Sequence, residues 1–167
     1  MSVAYIALGS NLDGPSRHVR EAFSALDALP RTRLQRRSSL YRSTPLGQPG
    51  QPDYVNAVAE LETALEPLAL LENLQAIEQA HGRIRGEERW GPRTLDLDLL
   101  LFDEREIRDA RLVVPHPEMG KRNFVLGPLI EVAPQVRIPG LGSARDLLRQ
   151  LGTAGLERLP GHGVEAS

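Results

Sequence analysis

Two acidic side chains stand in an apolar run that otherwise predicts a buried strand. Asp96 and Asp98 alternate with leucines between Thr94 and Phe102. In a β-strand, side chains two residues apart emerge on the same face, roughly 6.6 Å apart along the strand. The opposite, core-packed face is predicted to consist of Leu95, Leu97, Leu99 and Leu101. Because an unpaired carboxylate in such surroundings is costly, we expect a partner that compensates the two acids.

Carboxylate oxygens at this separation suit hard divalent cations. Magnesium favours one or two carboxylates and completes its coordination with water and phosphate oxygens. Two metal ions about 3.5–4 Å apart can hold the attacking and leaving oxygens of a phosphoryl transfer. Asp96 and Asp98 therefore predict a magnesium site for phosphate chemistry. The alternative is that both acids face solvent at a sheet edge or pair with nearby arginines.

Basic residues cluster directly before the acidic pair. The stretch combines four arginines with three glycines and a tryptophan: Arg83, Arg85, Arg89 and Arg93, with Gly82, Gly86, Gly91 and Trp90. A guanidinium group binds phosphate oxygens bidentately and stays charged, which suits a nucleotide site. For any single arginine, a solvated surface charge is the alternative. The chain has no GxxxxGK[ST] motif, so a standard P-loop nucleotide site is excluded.

The elements that must position these residues follow from periodicity. Clean alternation predicts a strand from Tyr54 to Thr63, with Asn56 on the same face as Tyr54 and Val58. Further strands are predicted at residues 3–8, 32–42 and 112–114, and helices at 15–29, 67–81, 124–132 and from 143. This order predicts an α+β fold, a ferredoxin-like split βαβ sandwich whose helices pack on one face of a mainly antiparallel sheet.

Composition narrows the class of protein. The 167 residues predict one domain over 1–160 with a flexible tail at 161–167. A net charge of -2 argues against nucleic-acid binding by general phosphate attraction. Without cysteine, the chain has no disulfide, thiolate metal site or cysteine nucleophile. No apolar run is long enough to span a membrane and no export signal is visible, so we expect a cytoplasmic protein. We also expect a monomer.

The motif around the acidic pair resembles a known family. The run from Arg89 to Leu100, RWGPRTLDLDLL, is similar to the signature of the 6-hydroxymethyl-7,8-dihydropterin pyrophosphokinase family of folate biosynthesis. The segments AYIALGSNL at 4–12, QPDYVNA at 51–57 and VPHP at 114–117 resemble its other blocks. The resemblance implies transfer of the terminal diphosphate of ATP to the hydroxymethyl group of the pterin, with release of AMP.

The same resemblance implies roles for individual residues. Asp96 and Asp98 match the carboxylates that hold two Mg²⁺ ions, and they are also among the implied catalytic residues, which are Arg83, Arg93, Asp96, Asp98 and Arg122. The implied ATP contacts are Gln75, Glu78, Arg85, Trp90, Arg93, Leu99, Arg111, His116 and Arg122. The implied pterin contacts are Ser43, Thr44, Leu46, Tyr54, Asn56 and Phe124. The other histidines, His18, His81 and His162, have no comparable sequence context.

Two other classes of protein remain to be weighed. A split βαβ fold often presents its sheet to RNA, but such modules need exposed aromatic residues and a basic face. Only 4% of the residues are aromatic, and the predicted sheet face carries two acids instead. A simple kinase or a two-metal nuclease would use similar carboxylates. The products discriminate between them, because a kinase leaves ADP and a nuclease needs no ATP.

Overall fold

The computed structural model describes residues 1–11, 14–44, 53–82, 95–160 and 165–166. The helices are α1 (Pro15–Asp27), α2 (Pro67–Ala80), α3 (Asn123–Val132) and α4 (Ala144–Leu151), with a 3₁₀ turn at Met119–Lys121, all within these described ranges. The strands there are β1 (Ser2–Ser10), β2 (Thr32–Arg37), β3 (Tyr41–Ser43), β4 (Tyr54–Thr63), β5 (Asp96–Phe102), β6 (Ile107–Arg108), β7 (Val113–Val114), β8 (Arg137–Ile138), β9 (Gly142–Ser143), β10 (Leu156–Arg158) and β11 (Glu165–Ala166).

The main sheet confirms the predicted α+β fold. Its path runs β10-β3-β4-β1-β5, and β2 pairs with both β4 and β11. Every pairing in it is antiparallel. The units β1-α1-β2 and β4-α2-β5 interleave so that β1 and β4 lie side by side in the centre, which is the split βαβ arrangement. β4 begins and ends at the predicted residues.

The helices cover both faces of the sheet, and the prediction of a single covered face is wrong. Ala4, Ile6 and Leu8 of β1 face a core shared with α1 and α2. Tyr5 and Ala7, which point the other way, pack against a second core that includes residues of α3 and α4. The strand is apolar on both sides because it is central, so alternation alone could not show how many faces are covered.

An irregularity in β5 overturns one predicted side-chain orientation. Leu97 and Leu99 lie in the α1–α2 core as predicted, but Leu101 lies in the core on the α3 side. The register between β1 and β5 shifts at this point, because Ile6 pairs with Leu99 while Tyr5 pairs with Leu101. The extra residue of a β-bulge reverses the alternation that follows it. Both acids precede the bulge and keep their common face.

Local hydrogen bonds explain where other predicted elements end. The strand predicted at 32–42 is two strands, because Ser38 leaves the ladder and its hydroxyl accepts a hydrogen bond from the Val58 amide at 2.9 Å. α1 stops at Asp27, whose carboxylate accepts from the Leu34 amide at 2.8 Å. α4 begins after Ser143, whose hydroxyl accepts from the Asp146 amide.

Two residues of the segment predicted as a tail pair with the main sheet. Glu165–Ala166 forms β11 and pairs with Arg37 and Arg36 of β2. The outer edge of a sheet has backbone N–H and C=O groups without partners. A short segment of any sequence can form hydrogen bonds with them through its own backbone. Composition therefore gave no sign of this pairing. Across the described ranges, no helix combines the length and the apolar character needed to cross a bilayer.

One carboxylate ties α3 to the sheet. Glu131 accepts hydrogen bonds from the Ser39 amide and hydroxyl and, at 2.7 Å, from the Tyr41 hydroxyl. Arg158 adds an ion pair at 3.5 Å, and the Glu131 side chain is only 10% exposed. Burial, with Glu131 beside it, raises the pKa of Tyr41, so the phenol remains protonated and donates to the carboxylate.

Replacing Glu131 with Ala should destabilise the fold by about 3 kcal/mol, because several buried donors would lose their acceptor. Urea unfolding measures this change. Glu131→Gln keeps one acceptor oxygen, so its free energy of unfolding should fall by less. Glu157→Ala, on exposed β10, is the matched control. A Glu131→Ala protein as stable as the control would show that α3 does not depend on this carboxylate.

Candidate active site

Two rows of side chains cross the centre of the sheet and carry the acidic pair. Asn56 of β4 pairs with Gly9 of β1, and Gly9 pairs in turn with Asp96 of β5. In the next row on the same face, Ala7 pairs with both Val58 and Asp98. Residues that pair directly across antiparallel strands share a face, so both carboxylates point to the α3 side of the sheet.

The middle of the first row has no side chain, which the sequence predictions did not anticipate. A Cβ built on Gly9 would lie 3.4 Å from Oδ1 of Asn56. Small residues, Gly9 and Ala7, thus leave a shallow floor between Asn56 on one side and the acids on the other. A glycine inside a strand pattern often marks such a close approach, so the position of Gly9 in the sequence could have predicted it.

The Asp98 carboxylate fits an oxygen ligand for a cation. Both acids are half-buried at the end of β5 that begins the strand. Among the described residues, no hydrogen bond or ion pair engages the Asp98 side chain. A partly desolvated carboxylate without a protein donor favours a nearby positive charge, and an all-oxygen donor set suits Mg²⁺.

His116 approaches this acid from the segment that follows β7, and Arg122 lies within electrostatic reach of its imidazole. The His116 amide donates to the Leu100 carbonyl at 3.0 Å, which attaches the His-Pro turn to β5. Burial lowers the pKa of His116, Asp98 raises it and Arg122 lowers it, so both charged groups lie within electrostatic reach of the imidazole. The effect of burial on the pKa of His116 is larger than the effect of Asp98, so the imidazole is neutral at pH 7.

The tautomer of His116 follows from its neighbour in the turn. Its Nδ1 accepts a hydrogen bond from the Glu118 amide at 3.1 Å. In the neutral imidazole the proton must therefore reside on Nε2, which leaves that nitrogen as a donor. Such a group can donate to a phosphate oxygen without adding a full positive charge.

The start of α3 brings a cation and an aromatic ring to the same face. The Arg122 guanidinium carbon lies 5.8 Å from the centroid of the Phe124 ring. Phe124 is half-buried and packs against the α3-side core, which also contains Val58. The ring therefore stands over the face that carries Asn56 and the acids.

Two predicted pterin residues are in direct contact. Asn56 is 5% exposed, and its Nδ2 donates to the Ser43 hydroxyl at 2.7 Å. Tyr54 pairs with Ser43 across β3 and β4 and lies on the Asn56 face, as predicted. The Thr44 amide donates to the Gly155 carbonyl at 3.3 Å, so the chain just after β3 is attached near β10. These contacts hold the Asn56 amide in one orientation.

The chain matches one protein family over most of its length. A model of 7,8-dihydro-6-hydroxymethylpterin-pyrophosphokinase (HPPK) matches residues 5–134. The chain belongs to the HPPK family. It is 52% identical over 157 residues to the 2-amino-4-hydroxy-6-hydroxymethyldihydropteridine pyrophosphokinase of Pseudomonas aeruginosa, covering 94% of this chain and 96% of that protein. The enzyme of the same name from Bacillus subtilis is 44% identical over 135 residues, covering 81% of this chain and 80% of that protein.

Solved structures support the fold. An HPPK-DHPS of Plasmodium falciparum, crystallised with pteroate, superposes with a TM-score of 0.75 at 13% identity. The match covers 99% of this chain and 47% of that one, so this HPPK chain spans about half the length of the solved protein. At such low identity the likeness concerns the fold alone.

The structure separates some of the predicted ATP contacts from the acidic face. The Leu99 side chain is 3% exposed in the α1–α2 core, so only its main chain remains for a ligand. Arg111 forms an exposed ion pair with Glu72 of α2 at 3.5 Å, one helical turn from the exposed Gln75. The remaining predicted site residues lie outside the described residues: Arg83, Arg85, Trp90, Arg93 and Leu46.

Glu78 has a clear role within the fold itself. Its side chain is 7% exposed, and its Oε2 accepts a hydrogen bond from the Leu97 amide at 2.8 Å. Leu97 stands between the two acids, so this bond connects α2 to the part of β5 that carries them. A shift of the Leu97 backbone would move Asp96 and Asp98 together. We therefore interpret Glu78 as a positioning residue for the acidic pair.

Replacing Glu78 with Leu should lower kcat by about 10-fold or more, because small misplacements of reacting groups are costly. Glu78→Gln, which keeps an acceptor oxygen for Leu97, should restore much of the loss. Steady-state kinetics over a magnesium titration measures kcat for both variants. Misplaced carboxylates would also weaken the dependence of kcat on the magnesium concentration.

Urea unfolding accompanies the kinetics, because the buried Leu97 amide would lose its acceptor. Gln79→Ala, an exposed change on the same helix, is the control. A Glu78→Leu protein with unchanged kcat and unchanged magnesium dependence would show that the strand is positioned without this bond.

Proposed function

We propose that this protein transfers the diphosphate of ATP to the hydroxymethyl group of 6-hydroxymethyl-7,8-dihydropterin in folate biosynthesis. The bond that forms joins the pterin hydroxyl oxygen to the β-phosphorus of ATP. The bond that breaks joins that phosphorus to the α-phosphate oxygen, so AMP leaves and the hydroxyl loses its proton. Membership of the HPPK family supports this reaction, and so do the names of the relatives. The observation that carries it is the placement of both carboxylates on one face of the sheet, in the Asn56–Gly9 row and the row next to it, with His116 within electrostatic reach of Asp98.

Asp96 and Asp98 would hold two Mg²⁺ ions. Their common face, their partial burial and the absence of a protein partner for Asp98 within the described residues support this assignment. Bound magnesium would neutralise the charge of the phosphates and align their oxygens. The carboxylates hold their position because β5 is paired with β1 and is attached to α2 through Glu78.

A cationic donor and a neutral donor would both bind oxygens of the ATP triphosphate. Arg122 supplies a full positive charge near His116, and the neutral His116 supplies an N–H donor at Nε2. Such charge stabilisation and alignment account for most of phosphoryl-transfer catalysis. Arg83 and Arg93 remain predicted catalytic contacts, and Arg85 and Trp90 remain predicted ATP contacts, on the family resemblance alone. Gln75 and Arg111 remain predicted ATP contacts on the family resemblance alone, since they lie with α2 on the opposite side of the sheet from the acids.

The pterin would bind over the floor formed by Gly9. The Asn56 amide can donate and accept, which suits the edge of a pterin ring. Phe124 and Tyr54 supply aromatic surface on the same face of the sheet, and Ser43 holds the Asn56 amide. Thr44 and Leu46 remain predicted pterin contacts on the family resemblance alone. A flat ring placed there would lie along the row that joins Asn56 to Asp96.

We further infer a single domain over residues 1–160 that acts as a monomer in the cytoplasm. The continuous sheet, with a hydrophobic core on each face, supports the domain assignment. A substrate pair of two small molecules requires no nucleic acid and no membrane.

Incubation with magnesium, ATP and 6-hydroxymethyl-7,8-dihydropterin tests the reaction. We expect equal amounts of AMP and the pterin diphosphate, separated by chromatography, and no product without the pterin. ADP in place of AMP would indicate a simple kinase. Cleavage of a nucleic acid without ATP would indicate a nuclease, and either result would overturn the proposal.

Asp96→Asn and Asp98→Asn should each lower kcat by at least about 100-fold, because each variant removes a charge needed where the transition state is stabilised. The Kd for magnesium, measured by titration in the presence of a non-hydrolysable ATP analogue, should rise in parallel. Glu104→Gln removes an exposed acid just beyond β5 and is the matched control. Full activity in both Asn variants would exclude the metal role.

A further inference from the structure

A second cluster of potential metal ligands lies among the helices on the other side of the sheet. His18 and Glu21 lie one turn apart on α1, and His81 caps the C-terminal end of α2. Each offers one ligand atom, and these atoms all lie within 4.8 Å of one another. The next residues of α1, Val19 and Ala22, face the α1–α2 core, so the sheet separates this cluster from the face of the acidic pair.

The two imidazoles converge through their nitrogens. Nδ1 of His18 lies 2.8 Å from Nδ1 of His81. The ring planes are inclined at 69° with centroids 5.1 Å apart, so the rings meet at their edges and do not stack. Tetrahedral zinc with Zn–N bonds of about 2.0–2.1 Å separates two nitrogen ligands by roughly 3.3 Å. A displacement of the half-buried His81 ring by about half an ångström would supply that difference.

Hydrogen bonding among the described residues does not satisfy His18. The side chain is 7% exposed, and its Nε2 has no hydrogen-bond partner there. An ion held by the two Nδ1 atoms would not contact this Nε2, so the polar contact that holds the buried imidazole among the described residues is the one between Nδ1 and His81. As a plain core residue, an imidazole in this position would be less favourable than an apolar side chain.

Glu21 is available to complete a ligand set. Its only described ion pair, with Arg17 at 3.4 Å, joins two exposed side chains that are 59% and 50% accessible. Such surface pairs contribute little to stability, so the carboxylate can turn toward the imidazoles at small cost. Two histidines with one carboxylate form a donor set used by zinc and by other first-row transition metals, whereas magnesium prefers oxygen alone.

We propose that His18, Glu21 and His81 form a binding site for a divalent transition-metal ion of the zinc type, separate from the magnesium-type pair at Asp96 and Asp98. The ion would join the start of α1 to the end of α2, across 63 residues of sequence. Glu78 lies one turn before His81, so the ion would also stabilise the end of α2 that reaches β5.

Zinc titration of the full chain carrying Asp96→Asn and Asp98→Asn tests the site, because these changes remove the competing carboxylates. Calorimetry should show one bound Zn²⁺ and no comparable heat with Mg²⁺. At free zinc of about 100 times the Kd, Tm should rise by roughly 5–10 °C. Co²⁺ should bind in place of Zn²⁺ and give a visible absorption band of a nitrogen-ligated ion.

His81→Gln and Glu21→Gln, made in the same background, should each raise the Kd for zinc by about 10-fold or more. Both side chains are partly or largely exposed, so these variants should retain the circular dichroism spectrum of the parent. Glu157→Gln, an exposed acid on β10, is the matched control and should leave the Kd unchanged.

Two results would overturn the proposal. One is an Asp96→Asn and Asp98→Asn protein that takes up no zinc at micromolar concentrations. The other is a zinc affinity that the His81 and Glu21 variants leave unchanged. In either case the two histidines would form only an imidazole–imidazole hydrogen bond.

Discussion

The antiparallel register of β1 with β4 and β5 is the constraint on which the site depends. It places Asn56, Gly9 and Asp96 in one row and sets Asp98 in the next row on the same face. A slip of one residue in β5 would turn both carboxylates into the α1–α2 core and turn leucines outward. The cost of burying two charges and of exposing apolar surface therefore maintains the register. Stability and site geometry depend on the same alternation.

The rest of the candidate site arrives from distant parts of the chain because α3 packs on that face. Its core residues bury against Val58, Leu100 and Leu101, which brings Arg122 and Phe124 at its start over the sheet. The bulge in β5 contributes to this packing, since it turns Leu101 toward α3 after the two acids have been presented. The HPPK chain thus changes from a polar to an apolar surface along a single strand. The irregularity serves both the site and the core.

The layer formed by α1 and α2 carries polar side chains that a purely structural layer would not need. Glu78 uses its carboxylate on the backbone of β5, and His18 meets His81 at the junction of the two helices. Glu78 and His81 are one turn apart at the end of α2. The orientation of this helix end is therefore coupled to the strand that bears the acids. A rigid layer behind the sheet is what a site built from paired carboxylates requires, because a shift of one strand displaces both ligands.

Local pattern by itself determined much of this protein. The bounds of β4, the shared face of Asp96 and Asp98 and the α+β class all follow from periodicity, because strand alternation and turn residues act over a few positions. Tertiary structure alone decided the second covered face, the orientation of Leu101 and the meeting of His18 with His81. These features depend on packing between elements far apart in the chain, and such packing leaves no mark in the spacing of neighbouring residues.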